Sequence, residues 1–288
     1  MQAGTSANRL LGSCYAGPVS HLLLMLLICS LCLVSRESEA RTRKPSASLQ
    51  LSQLLDEITG IGINIAPRPG PTIEDCQTAR RLIDTGAGVN TRGKESRVTV
   101  LMLAAECGDA DFVYYLLSRG ARVNVEDRNS GTALERAIFR SSPECVELLL
   151  ERGASVKKRY NGFIPMTPLM LASYMVDHED RTAEKCDAVI KSLLRHGADA
   201  RVVSKHGFTV LLMQLMTMRP RLSAMRLLLE AGADANQAAD NGVTPLDQSE
   251  AIQATEVSAL LKQWGARRSS SSPSRSDGAS HPSPTFAR

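Results

Sequence analysis

Asp177-His178-Glu179-Asp180 sets three carboxylates and an imidazole side by side, the oxygen and nitrogen donors that zinc or manganese accepts. Consecutive residues of one polar stretch rarely converge on a single ion, so the cluster reads as a solvated loop and no metal is expected. A hydrolase would need a nucleophile, a base and an orienting group held on rigid elements. The residue types at hand are Ser173, His178 or His196, and Asp177. His196 directly precedes Gly197, at a helix end where a cation meets the helix dipole favourably without any catalytic duty. The chain has no nucleophile elbow and no phosphate-binding glycine loop, the patterns that accompany acyl transfer and nucleotide chemistry. Catalysis is not expected, and no cofactor is implied.

The elements that carry these residues follow from a periodicity. Gly-Ala pairs recur at Gly86, Gly120, Gly153, Gly197, Gly232 and Gly265, with spacings of 34, 33, 44, 35 and 33 residues. A period near 33 marks an array of small stacked units, here with one enlarged copy. Within a unit, Thr99-Val100-Leu101-Met102-Leu103-Ala104-Ala105 places apolar side chains at helical spacing, and Gly108-Asp109 interrupts the run. Phe112 to Leu117 then leads into Gly120-Ala121, and glycine just past the last apolar residue suits a helix end because it has no Cβ to resist positive φ. Two helices of about ten residues cannot enclose a core, so each pair must bury its apolar faces against its neighbours.

These residues resemble the ankyrin-repeat family, whose unit opens Thr-Pro-Leu-His and closes with Leu-Leu before Gly-Ala-Asp-Val-Asn. The strongest copies are Thr167-Pro168-Leu169, Thr244-Pro245-Leu246, Gly120-Ala121-Arg122-Val123-Asn124, and the run from Leu227 through Gly232-Ala233-Asp234-Ala235-Asn236. The motif's histidine is replaced by Met102, Glu135, Met170, Leu212 and Asp247, which removes a hydrogen bond that the family uses to support its hairpin. The resemblance implies an all-α solenoid of about five to six helix-turn-helix units with short hairpin loops. It also implies protein recognition through the hairpin tips and the exposed side of the first helix of each pair.

The anchors lay the domain out over residues 76–266. A degenerate first unit has its second helix near 76–85, and residues 41–75 form an N-terminal segment with a candidate capping helix over 49–58. Further units run at about 98–130, 131–165, 166–206, 207–241 and 242–266. Polar residues dilute the last unit, as a terminal repeat facing water requires. The enlarged unit is expected to carry its insertion at 175–185, between its two helices.

Residues 22–34 are apolar except Ser30. That is too short for a spanning helix, which needs about 20 residues, but it fits the core of a secretory signal. Residues 1–40 are therefore expected to be a signal peptide cleaved after Ala40, giving an exported protein, periplasmic or secreted. An uncleaved run would anchor the protein in a membrane, and an intracellular scaffold is the remaining reading. Residues 267–288 are rich in Ser and Pro with few apolar residues and are expected to be disordered. The net charge of +4 is too small to argue for nucleic acid or a membrane surface as partner.

Removing the signal leaves Cys76, Cys107, Cys145 and Cys186 of the seven cysteines. Cys145 takes the place that Phe112 holds one unit earlier, which makes it a buried apolar residue. Cys76 and Cys107 lie near helix ends of neighbouring units and are a candidate disulfide, provided their Cα atoms come within about 7 Å.

The hairpin tips are mostly basic: Arg92, Lys94 and Arg97, then Arg128, then Lys157, Lys158 and Arg159, then Arg201, Lys205 and His206. Stacking would align them as a ridge, diluted by Glu95, Glu126, Asp127 and Asp240 and accompanied by Tyr160 and Phe163. A ridge of one sign favours an acidic protein surface, and aromatic residues beside Arg or Lys are frequent interface anchors. The expectation is an exported, non-catalytic interaction module with an unidentified protein partner, similar to exported bacterial ankyrin-repeat proteins.

Overall fold

The computed structural model describes residues 45–58, 71–161, 165–174, 182–217 and 219–269, with the backbone alone at 160 and 161. The expected signal peptide, most of the expected tail, Phe163, Asp177 and His178 lie outside the described residues. The helical domain starts at Ala47, and twelve helices are present among the described residues. A first pair is α1 (Ala47–Ile58) and α2 (Ile73–Asp84). Leading helices α3 (Val100–Cys107), α5 (Ala133–Arg140), α7 (Pro168–Tyr174), α9 (Val210–Leu215) and α11 (Pro245–Ala251) then alternate with trailing helices. The trailing helices are α4 (Ala110–Ser118), α6 (Pro143–Glu151), α8 (Ala183–Arg195), α10 (Leu222–Glu230) and α12 (Thr255–Gln263).

Threonine starts each leading helix because its hydroxyl satisfies a backbone N–H that has no intrahelical partner. Thr99 Oγ1 accepts from Met102 N at 3.2 Å, Thr167 from Met170 N at 3.3 Å and Thr209 from Leu212 N at 3.3 Å. Asp109, Ser142 and Thr182 cap the trailing helices α4, α6 and α8 in the same way. The Gly-Ala signal has an equally local cause. Gly120 and Gly153 both adopt φ +82°, and the N–H of the alanine that follows turns back to a leucine carbonyl five positions earlier. Ala121 N reaches Leu116 O at 3.0 Å and Ala154 N reaches Leu149 O at 2.9 Å. This left-handed closure satisfies the last carbonyls.

Leading helix packs on leading helix, and trailing on trailing, from α3 and α4 through α11 and α12. The buried residues of all the units join into one continuous apolar core that includes Leu51 and Leu55 of α1. No histidine is needed to brace the hairpins at two of the replaced positions. The Glu135 carboxylate accepts from Thr132 N at 2.8 Å, and that of Asp247 from Thr244 N at 3.1 Å, each closing a capping box. Glu135 is buried, and that burial pushes its carboxyl above the usual range.

Asparagine links successive units along the Gly-Ala edge. Asn90 donates to Gly120 O at 3.1 Å and accepts from Arg122 N at 2.9 Å. Asn124 does the same to Gly153 O at 2.8 Å and Ser155 N at 2.9 Å, and Asn236 to Gly265 O at 3.2 Å and Arg267 N at 2.8 Å. Lys157 and Arg201 occupy the corresponding places. Arg201 partly replaces the asparagine, donating from Nε to Gly232 O at 3.2 Å. Asn124→Ala is expected to lower stability by about 1–2 kcal/mol, from two lost hydrogen bonds. Urea denaturation checks it, and a change within a few tenths of wild type would contradict the bracing role.

The enlarged unit differs from its expected form. Thr132, Thr209 and Thr244 stand 12 residues after their preceding Gly-Ala glycines, but Thr167 stands 14 after Gly153. The lengthened hairpin forms a small antiparallel pair, β1 (Tyr160–Asn161) with β2 (Pro165–Met166), in which Tyr160 lies opposite Met166. The trailing helix α8 is also longer, 13 residues against 9 in α4, α6, α10 and α12. Ala183, Glu184 and Lys185, expected in the inserted loop, form its first turn under the Thr182 cap. The enlargement is thus spread over hairpin, helix and the stretch between helices. The second helix of the first unit also begins earlier than expected, at Ile73, because Thr72 and Asp75 close a capping box there.

Candidate functional site

The hairpin tips form a connected edge. Arg128 N donates to Ser96 O at 3.1 Å, Arg159 Nη2 to Val203 O at 3.2 Å, and Asp240 N to His206 O at 3.5 Å. Lys158 pairs with Glu126 across two tips, and the ammonium holds the Glu126 carboxyl below the usual range. Arg136, on α5, reaches down to Asp127 Oδ2 at 2.7 Å and also pairs with Glu106. Two of the acids that dilute the ridge are therefore occupied within the fold.

The basic residues separate into two groups. Lys158, Arg159 and Arg201 each spend a donor on the neighbouring tip or unit. Arg92 is half-buried beside Thr99, its partner in an isolated bridge. Lys94, Arg97, Arg128, Lys157 and Lys205 are exposed, and Arg97 adopts φ +60°, a left-handed turn position. Tyr160 lies in β1, with only its backbone described.

A second feature lies at the far ends of the leading helices, about 10 Å along each helix from the threonine that follows its hairpin. Tyr174 and Met216 each stand seven residues after the threonine that starts their leading helix, and Ile252 stands eight after Thr244. They are 38%, 39% and 40% exposed. Phe139, seven residues after Thr132, is half-buried at the same register. The ends of consecutive leading helices thus present a row of large apolar side chains. Counting from the threonines identifies this row in the sequence; a search for basic or aromatic residues in the tips passes over it.

The remaining candidates have structural partners. Ser173 is fully buried, and its hydroxyl donates to Leu169 O at 2.8 Å. His196 Nε2 lies 3.1 Å from Glu147 Oε1, while Arg195 Nη2 donates to Glu147 Oε2 at 3.0 Å. Hydrogen bonding from Ser192, with His196 and Arg195 alongside, holds the Glu147 carboxyl below its usual range. Among the described residues, no hydrogen bond joins Ser173 to His196. Cys145 is buried, which pushes its thiol up to about 11, the opposite of what a nucleophile needs. Cys76 and Cys107 are joined in a disulfide with Cα atoms 6.9 Å apart. A groove of about 690 Å³ lies between α6, α8 and α10, lined by Glu147, Lys191, Arg195, Leu227 and Glu230 among others. It contains none of the ridge residues. No described helix is long and apolar enough to cross a membrane.

Comparison with known proteins agrees with this architecture. Residues 72–160 match the family model described as ankyrin repeats, three copies. Human ankyrin repeat and SOCS box protein 6 is 35% identical over 156 residues, 52% of this chain and 35% of that protein. Human ankyrin repeat and SOCS box protein 16 is 33% identical over 203 residues, 67% of this chain and 41% of that protein. The chain therefore spans well under half the length of these curated relatives. The crystal structure of an ankyrin repeat domain from Acinetobacter baumannii superposes with a TM-score of 0.56 at 23% identity, over 67% of this chain and 94% of that one. That likeness concerns the fold.

Proposed function

The chain is an ankyrin-repeat protein, and from that premise we propose that it is an exported, non-catalytic module that binds a protein along its hairpin tips and the ends of its leading helices. The observation that carries this reading is the row of Tyr174, Met216 and Ile252, large apolar groups left exposed at the ends of the leading helices of consecutive units. Exposed apolar side chains next to polar rims are what binding surfaces need, and single scattered ones need no explanation. Here Tyr174 and Met216 recur in register, and Ile252 follows one position further along its unit. The exposed bases Lys94, Arg97, Arg128, Lys157 and Lys205 supply a rim of one sign. The partner chemistry that fits is an apolar centre bordered by carboxylates, with the charges acting on encounter rate and the apolar contacts on residence time.

Export rests on two features. The apolar run at 22–34 has the length of a signal core, and the Cys76–Cys107 bridge belongs to the chemistry of oxidising compartments, since cytosolic thiols are kept reduced. Mass spectrometry of the protein isolated from its own cells tests this. A mature N-terminus at Arg41 is expected, and an intact Met1 with reduced Cys76 and Cys107 would contradict export.

The binding face is tested by paired variants. Tyr174→Ala with Met216→Ala should weaken partner binding by about tenfold to a hundredfold, the scale of two anchor residues, with the thermal midpoint unchanged. Lys157→Glu with Lys205→Glu should slow association and flatten its salt dependence. Affinity unchanged in both pairs would remove this face from the proposal.

A further inference from the structure

Four of the hairpins turn on an equivalent residue whose N–H bonds to a carbonyl four or five positions on. These are Asp127, Ser204 and Ala239, bonded to Gly131 O at 2.9 Å, Phe208 O at 2.9 Å and Val243 O at 3.0 Å. In the first hairpin the equivalent is Gly93, bonded to Val98 O at 2.9 Å. Two of these residues use their own side chains to hold the turn. Asp127 Oδ1 accepts from Asn129 N at 2.8 Å and Gly131 N at 2.9 Å, and Ser204 Oγ accepts from His206 N at 3.3 Å and Phe208 N at 3.0 Å. Gly93 has no side chain to do this, and its turn is one residue longer.

The acceptor comes from elsewhere in the chain. Asp56, in the last turn of α1, places its carboxylate over the first hairpin and accepts from Lys94 N at 2.8 Å, Glu95 N at 3.1 Å and Ser96 N at 2.8 Å. The space at Gly93 is used by this arrangement, because a Cβ there would collide with Asp56 Oδ1 and Ser96 Oγ. Gly93 carries no positive φ, so the requirement for glycine is one of space and not of backbone conformation. Leu51 and Leu55, fully buried, fix α1 on the array, and Ser48 Oγ accepts from Gly88 N at 3.2 Å to fix its start.

We propose that α1 is a latch for the first hairpin, with Asp56 supplying from outside the carboxylate that Asp127 supplies from within. Three backbone N–H groups converging on one carboxylate make a charge-assisted cluster stronger than neutral turn bonds. The Lys94 and Arg97 end of the basic edge therefore takes its shape from α1 and loses it when α1 is released. The tips at Asp127 and Ser204 are held by those residues' own side chains. The latch depends on geometry alone and stands or falls independently of what the protein binds.

Four full-length proteins with the disulfide intact test it: wild type, Asp56→Ala, Gly93→Asp and the double variant. Amide hydrogen exchange of residues 94–96 is the readout, with thermal unfolding as the check on the fold. Asp56→Ala should speed exchange at these amides by about tenfold or more, the scale of lost charge-assisted bonds. Gly93→Asp alone should also disturb them, because its Cβ meets Asp56. The double variant should regain part of the slow exchange, its own carboxylate replacing the one removed as Asp127 does, once the Ser96 hydroxyl turns away from the new Cβ. Unchanged exchange in Asp56→Ala, or a double variant as fast as the two single effects combined, would overturn the proposal. Asp56→Asn, which keeps one acceptor, should fall between wild type and Asp56→Ala; exchange as fast as in Asp56→Ala would count against the hydrogen-bonding account.

Discussion

Phe112→Ala is expected to cost about 3–5 kcal/mol, the range for deleting a buried aromatic ring. Phe112 is completely buried in α4, a helix that packs against both α3 and α6. Its ring centre lies 6.3 Å from that of Tyr115, and the Arg80 guanidinium sits 5.7 Å from the one and 5.4 Å from the other. The Tyr115 hydroxyl in turn donates to Asp84 Oδ1 at 2.5 Å, tying α4 to the end of α2. Removing the ring leaves a cavity and unseats a joint between two units. An array stabilised through nearest neighbours splits at such a joint, so unfolding should become less cooperative as well as easier. Chemical denaturation followed by circular dichroism reads both. A loss below about 1 kcal/mol with an unchanged slope would contradict the assigned place of Phe112 in the core. The corresponding change one unit on, Cys145→Ala, removes much less volume.

Breaking the Cys76–Cys107 bridge is expected to cost about 3–4 kcal/mol. The bridge closes a loop of 31 residues, and the chain-entropy relation gives that range for a loop of this size. It joins α2 to the end of α3, which makes it a staple between the first unit and the second. The first unit buries little beyond Leu51, Leu55, Cys76, Ala79 and Ile83 in its two helices, so it is the part most in need of a staple. Reduction should release α1 and α2 before the units further on, and Cys107→Ser should behave as the reduced protein. Thermal unfolding with and without reductant, combined with hydrogen exchange, measures this. Identical midpoints in the two conditions would show that the bridge adds no stability. A slow-exchanging α2 after reduction would show that the first unit does not depend on it.

Much of the fold is legible in the residues because its causes are local. Gly120 and Ala121 signal a helix end through one positive φ and one backward hydrogen bond, both within six residues. Thr99 and Thr209 announce helix starts through contacts three residues away. The enlarged unit resists the same reading. Ala183, Glu184 and Lys185 follow a polar stretch and read as its continuation, yet they are good helix formers and take the first turn of α8 under the Thr182 cap. Arg201 looks like one more ridge base, yet it sits where Asn90, Asn124 and Asn236 brace the next unit; aligning the units carries that signal. The bond from Asp56 to Ser96 spans 40 positions and has no local sign beyond an unexpected Gly93. Tyr174 and Met216 are apolar residues at helix ends and read as core until counted from their threonines.

The central claim is that the protein binds through the row at the ends of its leading helices. The direct measurement is quantitative co-purification of tagged full-length proteins from the native cells: wild type, Tyr174→Asp with Met216→Asp, and Tyr114→Asp. Tyr114 is 56% exposed on the trailing helix α4 and serves as a control of equal chemistry on another face. All three should unfold at similar temperatures. A near-stoichiometric partner should be recovered with wild type and Tyr114→Asp and lost with the paired variant. Retention of that partner by the paired variant, with loss in Tyr114→Asp, would contradict it and move the binding surface to the trailing helices.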